Sequence, residues 1–215
     1  MRLKNIAAII IISFCCNSCS STQKTNTGGW QSLFDGKSFA GWKVGDNAAS
    51  FTIENGAIAV NGNVAHLFYD GDVQQHQFKN FEFKASVMTL PGSNSGIYFH
   101  TAFQQGGWPQ KGYEVQVNNS QSDWRRTGSL YAIQDVKEVY VKDNEWFTEY
   151  IMVQGKRVVI KINDKIVVDY TEPENVTRST GMAGRLISNG TFALQGHDPK
   201  SKVYYKDIMV KVLPD

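Results

Sequence analysis

NSGIYFHTAFQQGGWPQKGYEVQVN, residues 94–118, reads as two short strands joined by a loop that carries glycine and tryptophan. In a β-strand successive side chains point to opposite faces of the sheet. In GYEVQVN that alternation places Tyr113, Val115 and Val117 on one face and Glu114, Gln116 and Asn118 on the other. The preceding run repeats the division, with Ile97 and Phe99 on the apolar side and Tyr98 and His100 opposite. A sheet that buries one face ordinarily shows scattered, mixed residues on the other. Here that face offers a carboxylate, an imidazole, a phenol and carboxamides at consecutive positions, which makes it a hydrogen-bonding surface.

The same two-residue period recurs along the chain. FTIENGAIAV (51–60) predicts a hairpin turned at Asn55 and Gly56, and HLFYD (66–70) is a further short strand. FKNFEFKASVMTL sets Phe81, Phe83, Ala85 and Val87 against Glu82, Lys84, Ser86 and Met88. NSQSDWRRTG (119–128) is a polar loop, after which SLYAI (129–133) predicts another strand. WFTEYIMVQGKRVVIKINDKIVVDY (146–170) is a meander turned at Gln154–Gly155 and at Asn163–Asp164. TFALQGH and VYYKDIMVKVL are the last two strands. No stretch after residue 29 sustains a helical period, and no solenoid or propeller repeat occurs. The expectation is one all-β domain over residues 30–215, with about a dozen strands spaced as in a sandwich of two antiparallel sheets.

The N-terminus predicts export. Arg2 and Lys4 precede an apolar run, Ile6 to Phe14, too short to span a bilayer as a helix. All three cysteines follow it, at 15, 16 and 19. The stretch resembles a bacterial lipoprotein signal (residues 1–18), with Ser18 before a lipid-anchor cysteine, Cys19, and Cys16 as second choice. An ordinary cleaved signal remains the alternative. Residues 19–29 read as a flexible tether, which places the domain in the bacterial cell envelope, anchored in the membrane and facing the periplasm. Without further cysteines the domain has no disulfide, so packing must hold it together. At 215 residues such a chain buries roughly 70% of its unfolded surface. The net charge of +2 falls to zero without Arg2 and Lys4, which argues against a nucleic-acid partner.

TFALQGH mirrors GYEVQVN, with Phe192 and Leu194 inward and Ala193, Gln195 and His197 on the polar face. If those strands share a sheet, Glu114, Gln116, His100, Gln195 and His197 converge. A carboxylate beside an imidazole suits proton transfer; the plainer alternative is a polar face holding ordered water. The four histidines fall in no metal-binding pattern, and His66 and His76, beside apolar strands, read as structural. No cofactor and no tightly bound metal are expected. Trp108 and Trp124, in the loops flanking GYEVQVN, suit stacking on the C–H face of a sugar ring. Arg125 and Arg126 read as a solvated loop. A two-carboxylate glycosidase would need a second acid, from Glu82 or a loop aspartate.

Several blocks together carry a resemblance: LFDGKSFAGW (33–42), NSGIYFH (94–100), GYEVQVN (112–118), TGSLY (127–131) and the closing GTFALQGH and VYYKDIMVKVLP. From Trp30 to Pro214 the chain resembles the bacterial 3-keto-disaccharide hydrolases, also described as 3-keto-glucoside 1,2-lyases/hydratases. The resemblance implies a concanavalin-like jelly-roll β-sandwich with a sugar site on one sheet. It implies cleavage of an oligosaccharide or 3-keto-glycoside by C2 proton removal, β-elimination and hydration. By motif, the functional positions would be Glu114, Gln116, His100, Tyr131, Gln195 and His197. Glu114 or His197 would be the base, His100 and Tyr131 the acid or enolate donor, and Gln116 and Gln195 the sugar-orienting residues. Tyr98, Trp108, Trp124 and Asn118 complete the expected sugar contacts. Two positions depart from many relatives: His100 stands where they have arginine, and Asn118–Asn119 where they have an aspartate. The competing function is a lectin-like, non-catalytic carbohydrate-binding lipoprotein, since such folds host both.

Overall fold

The computed structural model describes residues 28–215, so the expected export signal, the anchor at Cys19 and most of the tether lie outside the described residues. Along the chain come β1 (Gln31–Ser32), β2 (Trp42–Val44), β3 (Phe51–Glu54), β4 (Ala57–Val60), β5 (Ala65–Tyr69) and β6 (Phe81–Thr89). There follow β7 (Ser95–Thr101), β8 (Tyr113–Val117), β9 (Phe147–Gln154), β10 (Arg157–Ile162), β11 (Lys165–Thr171), β12 (Thr191–Gly196) and β13 (Val203–Val212). Eight strands form one sheet in the order β11-β10-β9-β6-β13-β4-β3, with β1 also on β13; five form the other in the order β2-β5-β12-β7-β8. Every pairing is antiparallel. The architecture is an all-β jelly-roll sandwich, as the alternation and the resemblance predict.

The sheets meet through their apolar faces. β6 sends Phe81, Phe83, Ala85 and Val87 inward, and β12 answers with Phe192 and Leu194. Phe192 lies 4.7 Å from Phe83 and 4.9 Å from Phe81 between ring centroids. Each fully buried ring of this kind contributes roughly 1.5–3 kcal/mol by transfer alone. One inward position breaks the apolar rule. Glu149 lies on β9 between Phe147 and Ile151, is 0% exposed, and has neither carboxylate oxygen hydrogen-bonded. Burial drives its carboxyl well above the usual range, so it sits in the core as a neutral acid.

The Asn55–Gly56 hairpin forms as expected, both residues at positive φ (50° and 79°), which only glycine and a few polar residues take without strain. Two expectations need correction. The β9–β10 reversal falls at Gly155–Lys156, one residue later than expected, because Gln154 still pairs with Arg157. SLYAI is a turn, not a strand: Leu130 makes only isolated bridges to Val115 and Gln134, and Ala132 takes a φ of 59°. The Asp135 carboxylate accepts the Ala132 N–H at 2.9 Å and stabilises that turn.

Candidate active site

On the outer face of the five-stranded sheet, β8, β7, β12 and β5 lie side by side, so side chains far apart in sequence become neighbours. Tyr98 pairs with Glu114 and with Ala193, and Gln195 pairs with His66. A pocket of about 420 Å³ opens over this row. Glu114, Gln116, Tyr98 and Gln195 form its floor; Tyr131, Trp108, Arg185 and His197 stand around it.

The Glu114 carboxylate is 5% exposed and accepts three hydrogen bonds. Oε2 takes the Tyr98 hydroxyl at 2.7 Å and Arg185 Nη2 at 3.1 Å, and Oε1 takes Gln195 Nε2 at 2.8 Å. Gly96, beneath it on β7, leaves the space the carboxylate occupies: a Cβ there would lie 2.8 Å from Oε1. Burial, reinforced by the Glu114 charge, holds the Tyr98 phenol well above its ordinary pKa, so it remains a donor. Burial likewise raises Tyr131. Gln116 donates to Asn94 Oδ1 at 2.7 Å. On the residues lining the pocket, three buried atoms have no protein partner: Gln116 Oε1, Gln195 Oε1 and Arg185 Nη1. Buried polar groups are nearly always paired, and this acceptor–acceptor–donor set among the lining residues suits a polyhydroxylated ligand.

His197 supplies the imidazole. Its Nδ1 is 2.7 Å from Asp198 Oδ2, and the ring is about one-third exposed at the pocket rim, which leaves Nε2 as the proton-accepting atom. Burial would raise the Asp198 carboxyl. Hydrogen bonds from His197, the Lys200 N–H and Ser201 outweigh it and bring the group below its ordinary value. An ionised aspartate thus holds the histidine in one tautomer.

Arg185 arrives on the irregular 173–190 segment between β11 and β12. Glu172 and Arg178 fasten that segment. Arg178 Nη2 donates to the Tyr113 and Tyr170 hydroxyls at 2.6 and 2.9 Å, and its Nε donates to the Arg185 carbonyl at 2.8 Å. Glu172 accepts the Ile187 N–H at 3.0 Å and the Tyr113 hydroxyl.

Of the expected site residues, Glu114, Gln116, Gln195, Tyr98, Tyr131, Trp108 and His197 share this pocket. Three do not. His100 is corrected by a bulge: Thr101 pairs with Thr191 and Tyr98 with Ala193, so β7 spends two residues where β12 spends one. His100 takes a φ of 54° and turns inward, its ring 5.6 Å from Phe81 and 5.4 Å from Phe99. Its Nδ1 accepts the Ser188 N–H at 3.2 Å, so Nε2 donates to the Lys79 carbonyl at 2.9 Å. Burial lowers its pKa to about 4. Asn118 is 0% exposed and spends its whole amide on its own loop, donating to the Asp123 and Arg125 carbonyls and accepting from Gln121 and Arg126. Trp124 is 47% exposed but lies outside the pocket lining, against Arg125 at 4.7 Å.

Arg185 and Asp198 escaped the sequence reading, the first because nothing marks its turn, the second because adjacency to His197 is no motif. Asp123 brings a second carboxylate to the pocket from the polar loop, whereas Glu82 is on the other sheet, paired with Lys211 at 3.1 Å. Among the described residues no three His, Cys, Asp or Glu side chains group as a metal site would.

Comparison with known proteins adds to this geometry. The model of the 3-keto-alpha-glucoside-1,2-lyase-like domain matches residues 29–211. A 3-keto-disaccharide hydrolase of Bacteroides thetaiotaomicron is 29% identical over 86% of this chain and 79% of its own length. A crystal structure of a Parabacteroides distasonis protein proposed to be a glycosyl hydrolase superposes with a TM-score of 0.73 at 23% identity, covering 90% of this chain and 98% of that one. The carbohydrate-binding module CBM66 of Bacillus subtilis superposes with a TM-score of 0.55 at 13% identity, covering 80% of this chain and 95% of the module. At those identities the two structural likenesses speak to the fold.

Proposed function

Since the chain belongs to the 3-keto-alpha-glucoside-1,2-lyase-like domain family, we propose that it is a carbohydrate-processing enzyme that cleaves 3-keto-glycosides. The observation that carries this reading is the Asp198-supported His197 at the rim of a pocket whose floor holds Glu114, Tyr98 and Gln195. A ketone at C3 acidifies the C2 proton. His197 Nε2 takes that proton, and the C2–H electron pair moves to the C3 oxygen as an enolate. Arg185 Nη1, without a protein partner, and the Tyr131 hydroxyl meet the charge. Collapse of the enolate restores the ketone and expels the C1 substituent, which takes its proton from the imidazolium. Water then adds at C1, a proton returns to C2, and the net result is hydrolysis. Glu114 is the weaker candidate for base, because three donors already occupy its carboxylate.

The test uses 3-keto-glucosides beside the same glycosides unoxidised, in deuterated water. Only the 3-keto compounds should be cleaved, and the released sugar should carry deuterium at C2. Equal turnover of both, with no label at C2, would make the protein an ordinary glycosidase using Glu114 and Asp123. Sugar affinity without turnover of either would make it a binding module.

We propose in addition that the chain is exported and held in the cell envelope by a lipid on Cys19, the domain facing the periplasm. Support comes from the order of charge, apolar run and cysteines in residues 1–19. Cys19→Ala should move the protein out of the membrane fraction. If the protein stays there when Cys16 is also replaced, the anchor is not a lipidated cysteine.

A further inference from the structure

His66 is the polar group on this sheet face that the proposed chemistry leaves without a task. It stands on β5 opposite Gln195, one strand beyond the pocket floor, is 4% exposed, and its Nε2 has no hydrogen-bond partner. What covers it is aromatic: Tyr98 meets it edge-on at 5.3 Å and Trp108 at 5.6 Å. Trp108 in turn is 46% exposed, lines the pocket, and lies 5.6 Å from His197 as well. A buried imidazole nitrogen that the protein does not use thus lies next to an indole that lines the pocket.

The loop bearing Trp108 is held internally. Gln104 Nε2 donates to the Gly106 carbonyl and, at 3.0 Å, to the Trp108 carbonyl, while its Oε1 accepts the Gln110 N–H at 3.3 Å. Gln105 ties the loop base to Asp46 at 3.0 Å. Those bonds hold the loop backbone, while the Trp108 side chain keeps 46% of its surface exposed. Beyond it the same face continues as Phe68 and Phe103, 5.4 Å apart, with Lys43 over the Phe103 ring at 3.9 Å. An exposed indole face beside an unused polar atom is what a pyranose needs: an apolar face for its C–H groups and a partner for a hydroxyl.

We propose that Trp108 and His66 form a second sugar subsite, for the ring attached at C1 of the keto sugar. This rests on the reading of His197 as the base. C1 is bonded directly to C2, so a substituent on C1 must lie beside the group that takes the C2 proton, and Trp108 is the aromatic neighbour of that group. A modest turn of the indole lets the second ring stack on it and brings a hydroxyl to His66 Nε2. His66 is neutral there, burial having lowered its pKa to about 4, so it pairs with a hydroxyl at no cost in buried charge. His66 is then a specificity-determining residue for a two-ring substrate, outside the machinery of bond cleavage.

The experiment compares wild type with His66→Phe, which keeps a planar ring in the same apolar surroundings and removes both nitrogens. Two substrates share the keto sugar: a 3-keto-disaccharide and the methyl 3-keto-glucoside. His66→Phe should raise KM for the disaccharide about tenfold, the worth of one lost hydrogen bond, and leave kcat/KM for the methyl glycoside within about twofold. Equal losses on both substrates, or none on either, overturn the subsite. A second arm does not depend on turnover. Tryptophan fluorescence of the wild type, titrated with the unoxidised disaccharide and with its monosaccharide, should report tighter binding of the disaccharide, and His66→Phe should erase the difference. Indistinguishable binding of the two sugars by wild type overturns the subsite even if 3-keto-glycosides are cleaved. Tighter disaccharide binding with no cleavage of any 3-keto-glycoside keeps the subsite and rejects the proposed reaction.

Discussion

Arg185 Nη2 lies 3.1 Å from Glu114 Oε2, an ion pair whose side chains are 9% and 6% exposed. It joins the 173–190 segment to β8, the edge strand of the five-stranded sheet, and closes one wall of the pocket. Taking two charges out of water is costly. Here the cost is offset because Tyr98 and Gln195 complete the hydrogen bonding of the carboxylate.

Removing one partner leaves the other buried and uncompensated. Arg185→Ala should destabilise the domain by ~3–5 kcal/mol in urea unfolding and abolish turnover. Replacing both residues together, Arg185→Leu with Glu114→Leu, should recover much of that stability and none of the activity. An unchanged unfolding midpoint in the single variant would mean the pair does not exist in solution.

Gly96→Ala tests how finely the carboxylate is placed. The new Cβ would fall 2.8 Å from Glu114 Oε1. Making room displaces a buried, hydrogen-bonded carboxylate, so the fold should lose roughly 1–3 kcal/mol. The shift breaks its alignment with Gln195 and Arg185, and kcat/KM should drop by about tenfold or more. Full activity in this variant would show that Glu114 is not held in place for the reaction.

Asp198→Asn should separate chemistry from binding. The amide can still hydrogen-bond the His197 ring but carries no charge to support an imidazolium. Proton transfer by a positioned side chain is worth about 10²–10⁴-fold, so kcat should fall within that range while sugar affinity by calorimetry stays put. Loss of affinity at constant kcat would move His197 from base to binding residue.

Stability should respond to pH through three buried groups. His66 and His100 have pKa values lowered to about 4 by burial. Between that value and the ordinary one the unfolded chain binds protons that the native state does not, so stability rises with pH across roughly pH 4 to 6.5. Glu149 acts in the opposite sense. Its carboxyl is raised, so the native state keeps a proton the unfolded chain releases, and stability falls as pH climbs above the ordinary carboxylate value. Glu149→Gln should remove that decline, measured by thermal unfolding from pH 5 to 9. A decline of the same slope in the variant would show that Glu149 is not its source.

How far the sequence reaches is clearest where it goes wrong. The side-chain period of a strand is two, so Tyr98, Glu114, Gln116, Gln195 and His197 could be placed on a polar face without coordinates. His100 could not. One extra residue in β7 reverses the facing of everything beyond it, and the positive φ that marks the bulge leaves no trace in residue type. Asn118 belongs to the correct face and still fails as a sugar contact, because its loop consumes its amide. Trp124 fails for a similar reason: a loop position tells nothing of direction.

The sequence by itself determined the class of fold, the inward residues of the paired strands, the asparagine–glycine hairpin and the polar face that becomes the pocket floor. These follow from local periodicity and turn chemistry, which act over a few residues. Only the tertiary structure decided that β8, β7, β12 and β5 are neighbours, that Arg185 returns across 71 residues to meet Glu114, and that His66 packs against Trp108. Those relationships arise from strand order and from the course of irregular segments. Both are set by how the whole core closes, and the alternation of side chains along a strand carries no information about which strand lies next to it.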